Sequence, residues 1–201
     1  MLIVVGGHSR NIGKTSVAAS IIRALPQARW TAVKITQHGH GICSEAGEPC
    51  SCAIEYEHPF AISEETAPGN TDSGRFLAAG AERAYWLRTP AGQLGHAIPE
   101  LRRILSQAGN AILESNSVLQ FLKPDLYLPV LDFTNPDMKE SSRLYFDRAD
   151  AFVIVGLVSS APPWQGIPER WLAAKPRFPV VPPEYSSQEL TAFVASKLGP
   201  V

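Results

Sequence analysis

The sequence predicts a three-layer α/β/α fold built on a mostly parallel sheet of about seven strands. Three observations carry this expectation. Short apolar runs alternate with amphipathic helical stretches from one end of the chain to the other. Several of those runs are continuous instead of alternating, which is the pattern of strands buried on both faces. The first run leads through glycines directly into a helix-like segment, as the opening unit of a parallel sheet does.

Taken in order, strands are expected at 2–5, 31–35, 83–87, 111–113, 126–131, 151–155 and 179–181. Helices are expected at 14–25, 73–81, 98–107, 137–147, 168–174 and 187–198. In the first of these, Val17, Ala18, Ile21, Ile22 and Leu25 share one face, and Pro26 ends the helix. Residues 37–70 break the rhythm. They hold all three cysteines and three of the five histidines, with little apolar periodicity. A loop of that length inside a compact domain is either functional or disordered. The whole chain, 1–201, reads as one domain with a Cys/His-rich insertion at about 37–70.

Bulk composition excludes several classes. With 45% hydrophobic and 18% charged residues, the chain is an ordinary globular sequence. A formal net charge of -1 gives no bulk reason to expect nucleic acid or an anionic membrane as partner. The apolar start, residues 1–7, lacks a basic leader and is too short for a signal peptide, and no run is long enough to span a bilayer. The expected location is the cytoplasm, and a homodimer is an open expectation. An odd number of cysteines in one short stretch points to thiol or metal chemistry instead of a disulfide framework.

The segment Gly7-His8-Ser9-Arg10-Asn11-Ile12-Gly13-Lys14-Thr15 reads as a phosphate-binding loop. A strand ending in a tight glycine turn exposes backbone N–H groups to phosphate, and a helix beginning at Gly13 adds the positive end of its dipole. Gly7, His8, Asn11, Ile12, Gly13, Lys14, Thr15 and Ser16 would hold the phosphates of ATP or GTP. Lys14 would reach the outer phosphates and the Thr15 hydroxyl would bind Mg²⁺. The spacing departs from the usual motif, because His8 stands at the first glycine position and Gly7 lies one residue earlier. His8 could touch substrate or phosphate. Lys34 follows at the carboxyl end of the next strand, beside the phosphate site, with a sheet-edge role as the plainer alternative.

The wide spacing resembles the loop of dethiobiotin synthetase. Ala32-Val33-Lys34-Ile35-Thr36-Gln37 resembles the second strand of the same SIMIBI class of P-loop NTPases, which includes the molybdopterin-guanine dinucleotide biosynthesis protein B family. Thr71-Asp72-Ser73-Gly74-Arg75 with Ala79-Gly80-Ala81 resembles a segment of that second family. Ala111-Ile112-Leu113-Glu114 resembles an acid-tipped strand of both, although Ser115 replaces the expected glycine. The resemblance implies that Asp72 and Glu114 assist Thr15 in holding Mg²⁺. Asp72 reads equally as a helix N-cap. It further implies that Lys14 and Lys34 neutralise a transferring phosphoryl group. No guanine-reading Asn-Lys-x-Asp or Thr-Lys-x-Asp segment occurs, so ATP and GTP both stay open. Asn135-Pro136-Asp137 either faces a base or forms a turn.

His38, His40, Cys43, Cys50 and Cys52 place five soft or borderline ligands in one stretch. Cys43, Cys50 and Cys52 with His40 would make a four-ligand set for Zn²⁺ or Fe. The same segment reads alternatively as a substrate loop whose cysteines are incidental. Three functions follow: an accessory NTPase of cofactor biosynthesis with slow hydrolysis, a ligase resembling dethiobiotin synthetase, or a nucleotide-gated metal-handling protein. Each needs a small-molecule or protein partner that the sequence does not name.

Overall fold

A computed structural model describes residues 1–39, 59–156 and 163–199. Its centre is strand β1 (Leu2–Gly7), in which successive residues serve opposite faces. Ile3 and Val5 enter one core cluster and Val4 the other, all with no exposed surface. That is why the run is continuously apolar instead of alternating.

The other strands are β2 (Trp30–His38), β3 (Ala61–Glu64), β4 (Arg83–Pro90), β5 (Asn110–Glu114), β6 (Leu126–Asp132), β7 (Phe152–Val155) and β8 (Arg177–Val180). They form one eight-stranded sheet in the order β3-β4-β2-β5-β1-β6-β7-β8. Every pairing is parallel except β3 with β4. All seven expected strands form, and β3 is an addition. It lies within the segment expected to be loop, because a four-residue edge strand with no fully buried position carries almost no periodic signal.

Helices α1 (Lys14–Ala24), α2 (Asp72–Ala78), α3 (Leu94–Ser106), α4 (Glu140–Leu144), α5 (Glu169–Ala173) and α6 (Gln188–Ala195) cover the sheet. Helix α1 buries Val17, Ala18, Ile21 and Ile22 against one face together with residues of α2 and α6. Val17, Ile21 and Ile22 each contribute about 1.5–3 kcal/mol when removed from water. The opposite face receives Leu94, Ala97, Ile98, Leu101 and Ile104 of α3. Two expected helices change shape. The one expected at 98–107 starts earlier, at Leu94, with Pro99 inside it. The stretch expected to be helical over 137–147 is the short α4 followed by a 3₁₀ turn, Phe146–Arg148.

Strand β1 lies between β5 and β6, while the chain leaving α1 crosses β5 to form β2. The carboxyl ends of β1, β2 and β5 therefore open on one crevice, where open α/β sheets hold their ligands. Among the described residues no helix is long and apolar enough to cross a membrane.

Candidate functional site

The loop between β1 and α1 is shaped by contacts too close for larger residues. A side chain at Gly7 would meet Lys14 Cδ at 2.7 Å. Asn116 holds the same glycine from both sides: its Oδ1 accepts from Gly7 N–H at 2.8 Å and its Nδ2 donates to Gly7 O at 2.8 Å. Asn11 (φ 53°) and Gly13 (φ 88°) are left-handed. Gly13 meets a second demand, since a Cβ there would collide with the Tyr185 ring at 2.2 Å. No side chain caps α1, so the N–H groups of its first turn stay available to a ligand. The Lys14 ammonium donates to Ser9 O at 2.7 Å, folded back over the loop.

The cleft floor is polar. Thr15 Oγ1 donates to Glu114 Oε2 at 2.7 Å. Lys34 Nζ lies 2.5 Å from Glu114 Oε1 and 2.7 Å from Asp72 Oδ2, bridging the two carboxylates. Sheet register explains half of this arrangement, because Lys34 and Glu114 are directly paired on β2 and β5. Asp72 reaches the site from the start of α2, where Arg75 lies 3.7 Å away. The N-cap of α2 is Thr71, whose hydroxyl accepts from Gly74 N–H, so Asp72 is not the cap.

Electrostatics follow from this packing. Burial lowers the Lys34 pKa, but Glu114 and Asp72 together outweigh it and the net shift is upward. Burial raises that of Asp72, yet the Lys34 ammonium prevails and holds it below the usual value. Burial lowers the Lys14 pKa, with Glu114 opposing the shift and Lys34 adding to it.

The cleft, about 550 Å³, is lined by Arg10 through Ser16, Lys34, Asp72, Arg75, Glu114, Lys139 and Tyr185, among others. Among the described residues, five cationic side chains, Arg10, Lys14, Lys34, Arg75 and Lys139, line the cleft with two carboxylates, Asp72 and Glu114. In a chain of net charge -1 this is a strong local excess of positive charge.

Of the residues singled out in the sequence, Asn11, Ile12, Gly13, Lys14, Thr15, Ser16, Lys34, Asp72 and Glu114 come together in this one cleft. His8 does not join them. It is fully buried, with Nδ1 2.6 Å from Asp137 O and Nε2 accepting from Asp132 N–H at 3.0 Å. Its ring stands 4.4 Å from that of Trp164. The expectation that His8 could touch substrate or phosphate is corrected accordingly: its ring nitrogens are engaged by Asp132, at the end of β6, and by Asp137, in the loop after it. Asn135 forms a turn, its Oδ1 accepting from Asp137 N–H, and does not line the cleft. His40, Cys43, Cys50 and Cys52 lie outside the described residues. Among those described, no group of three or more His, Cys, Asp or Glu could hold a metal ion.

Sequence reasoning missed Arg10, Arg75, Asn116, Lys139 and Tyr185. Lys139 and Tyr185 follow strands β6 and β8, and the rule that ligands gather at the carboxyl ends of parallel strands points to both segments. It does not single out a residue within them.

Neither a family model nor a curated protein matches the chain. Solved structures do. HypB from Helicobacter pylori, determined in complex with nickel, superposes with a TM-score of 0.54 at 14% identity, over 98% of this chain and 86% of HypB. LpxK from Aquifex aeolicus, determined with ATP, gives a TM-score of 0.48 at 16% identity, over 89% of this chain and 53% of LpxK. The chain has an α/β P-loop fold, in agreement with its sheet order and with the loop joining β1 to α1.

Proposed function

We propose that the cleft binds a purine nucleoside triphosphate with Mg²⁺ and hydrolyses it slowly, as an accessory step in cofactor biosynthesis. The carrying observation is the uncapped first turn of α1, set beside Lys14 in a cleft whose cations outnumber its carboxylates. Backbone N–H groups, the helix dipole and several ammonium or guanidinium groups together make an anion site matched to a phosphate chain.

The floor suits Mg²⁺ by its chemistry. Thr15, Asp72 and Glu114 offer only oxygen donors, and the Lys34 ammonium between the two carboxylates shows that this spot accommodates positive charge. Mg²⁺ bound there would neutralise charge on the phosphate oxygens. Lys14 would leave Ser9 O for a phosphate oxygen, and Lys34 would add its charge at the transferring group.

Ser115, Ser117 and Ser141 also line the cleft without belonging to the phosphate loop. Their hydroxyls favour a second reading, in which a small co-substrate sits beside the nucleotide and ATP drives its ligation. Separately, the ligand types at His40, Cys43, Cys50 and Cys52 support Zn²⁺ or Fe binding by sequence.

Calorimetry with ATP, GTP and inorganic triphosphate, with and without Mg²⁺, tests the nucleotide reading. Binding by the wild type that Lys14→Ala abolishes supports it. Absence of binding by the wild type overturns it.

A further inference from the structure

Lys139 enters the cleft from the side opposite Lys34. It follows β6, which flanks β1 on one side, whereas β5 and β2 lie on the other. The side chain is half-buried and lines the cleft with Arg10 and Lys14. Among the described residues no carboxylate lies within ion-pair distance of its ammonium. Burial first, then Lys14, Arg10 and Lys34, push its pKa down to about 7, with Glu114 opposing. A cation held among cations without a counter-ion is unfavourable in the free protein, so the fold must keep it there.

The device that does so is His8. Lys139 N–H donates to His8 O at 2.8 Å. The ring bonds above add Asp137 O on one nitrogen and Asp132 N–H on the other. Trp164 closes over the ring, and its Nε1 donates to Asn135 O at 3.0 Å. The segment from Asp132 to Lys139 is thereby fastened to the phosphate loop at three points on one residue. That residue stands at the position where the usual motif has glycine, and glycine could supply only the backbone bond. The departure from the motif and the extra lysine are two parts of one arrangement.

We infer that Lys139 is a third phosphate-binding lysine, which contacts the terminal phosphate of the nucleoside triphosphate, and that His8 is the residue that positions it. The inference rests on the nucleotide reading. A phosphate chain along this loop has its inner groups at the first turn of α1 and its outer end toward Ser9 and Arg10, next to the Lys139 anchor at His8. The terminal group carries the most charge and the most free acceptor oxygens, and an ammonium serves it as a point charge.

The test compares nucleoside triphosphate and diphosphate affinity, by calorimetry with Mg²⁺, in wild type, Lys139→Gln, Lys139→Arg, His8→Gln and the double variant His8→Gln/Lys139→Gln. Lys139→Gln should weaken triphosphate binding by about tenfold or more while leaving the diphosphate nearly unchanged, and Lys139→Arg should restore most of the loss. His8→Gln should lower the triphosphate-to-diphosphate ratio in the wild-type background and leave it unaltered in the double variant. A general loss of folding would instead lower both affinities together. An unchanged ratio in Lys139→Gln, with nucleotide still bound, overturns the inference and leaves the nucleotide reading intact. Failure of the wild type to bind either nucleotide overturns both.

Discussion

Lys34 and Glu114 are register partners on adjacent parallel strands, and their side chains meet at 2.5 Å on the cleft floor. Glu114 is 2% exposed and Lys34 16%, so this is a buried pair, completed by the Thr15 hydroxyl and by Asp72. A buried ion pair adds little stability over an apolar replacement, yet removing one partner is costly because it strands the other charge.

Glu114→Gln is therefore expected to destabilise the protein by about 3–5 kcal/mol, read by chemical denaturation. Asp72→Asn, at a carboxylate 44% exposed, should cost much less. Both should reduce the gain in nucleotide affinity that Mg²⁺ provides. Equal stability losses in the two variants would contradict the burial argument. A Mg²⁺ effect unchanged in both would remove them from the cation site.

The phosphate loop, Lys34 and Glu114 were legible in the sequence because strand, glycine, lysine and acid follow one another in chain order with a recognisable spacing. Sheet register was not legible, and it alone brings Lys34 and Glu114 to the same level. Asn116 was hidden for a similar reason. Its amide serves Gly7, 109 residues away, and such a partnership leaves no local pattern. A histidine in a phosphate loop suggests a ligand contact, and only the position of Asp132 and Asp137, fixed by the tertiary fold, turns the His8 ring away. Strand β3 escaped notice because it is short, lies at the sheet edge and pairs antiparallel with β4 alone.

Asn116→Ala should disturb the loop through the Gly7 backbone. The substitution removes both bonds to Gly7, each worth about 1 kcal/mol or more at a half-buried position. We expect a stability loss of about 1–3 kcal/mol together with weaker binding of all phosphate-containing ligands, including inorganic triphosphate. Retained stability and affinity would show that the amide is dispensable to the loop.

His8 sets a pH dependence. Nε2 accepts from Asp132 N–H, so the ring is held neutral with its proton on Nδ1 facing Asp137 O. Burial lowers its pKa below the ordinary 6.5, although the bond to Asp137 and nearby carboxylates oppose the shift. The unfolded chain thus binds more protons than the folded one just below pH 6.5. Stability contributed by His8 is complete above that value and declines as pH falls toward the lower folded pKa. Urea midpoints between pH 7.5 and 5 should fall in the wild type, and the dependence should be shallower in His8→Phe. That variant should also lose about 1–3 kcal/mol at pH 7.5, because the two backbone groups that bond the ring, both part-buried, lose their partner. Parallel pH profiles would contradict the assignment.

The proposed metal reading of the cysteines has a direct check. If Cys43, Cys50, Cys52 and His40 form a site, protein purified without chelator should carry one Zn²⁺ or Fe per chain by elemental analysis. Cys50→Ser with Cys52→Ser should then lose it while nucleotide affinity persists. Metal-free wild type that cannot be reloaded would end this reading.

Lys139 gives the last prediction, and its pH dependence has the same sign as that of His8 but runs over a more alkaline interval. Its pKa falls from an ordinary 10.5 to about 7 in the folded protein. Between those values the unfolded chain holds a proton that the folded chain has released, so ligand-free stability rises with pH across the interval. The penalty of the buried ammonium is complete below pH 7 and gone by pH 10.5. Lys139→Met should therefore raise the melting temperature of the ligand-free protein most at pH 6 to 7, with the advantage shrinking toward pH 10. A phosphate chain in the cleft reverses the balance, since it supplies the missing counter-charge. With saturating nucleoside triphosphate at pH 7 the wild type should melt above Lys139→Met. An order of stability that is the same with and without nucleotide would show that Lys139 does not meet the bound phosphates.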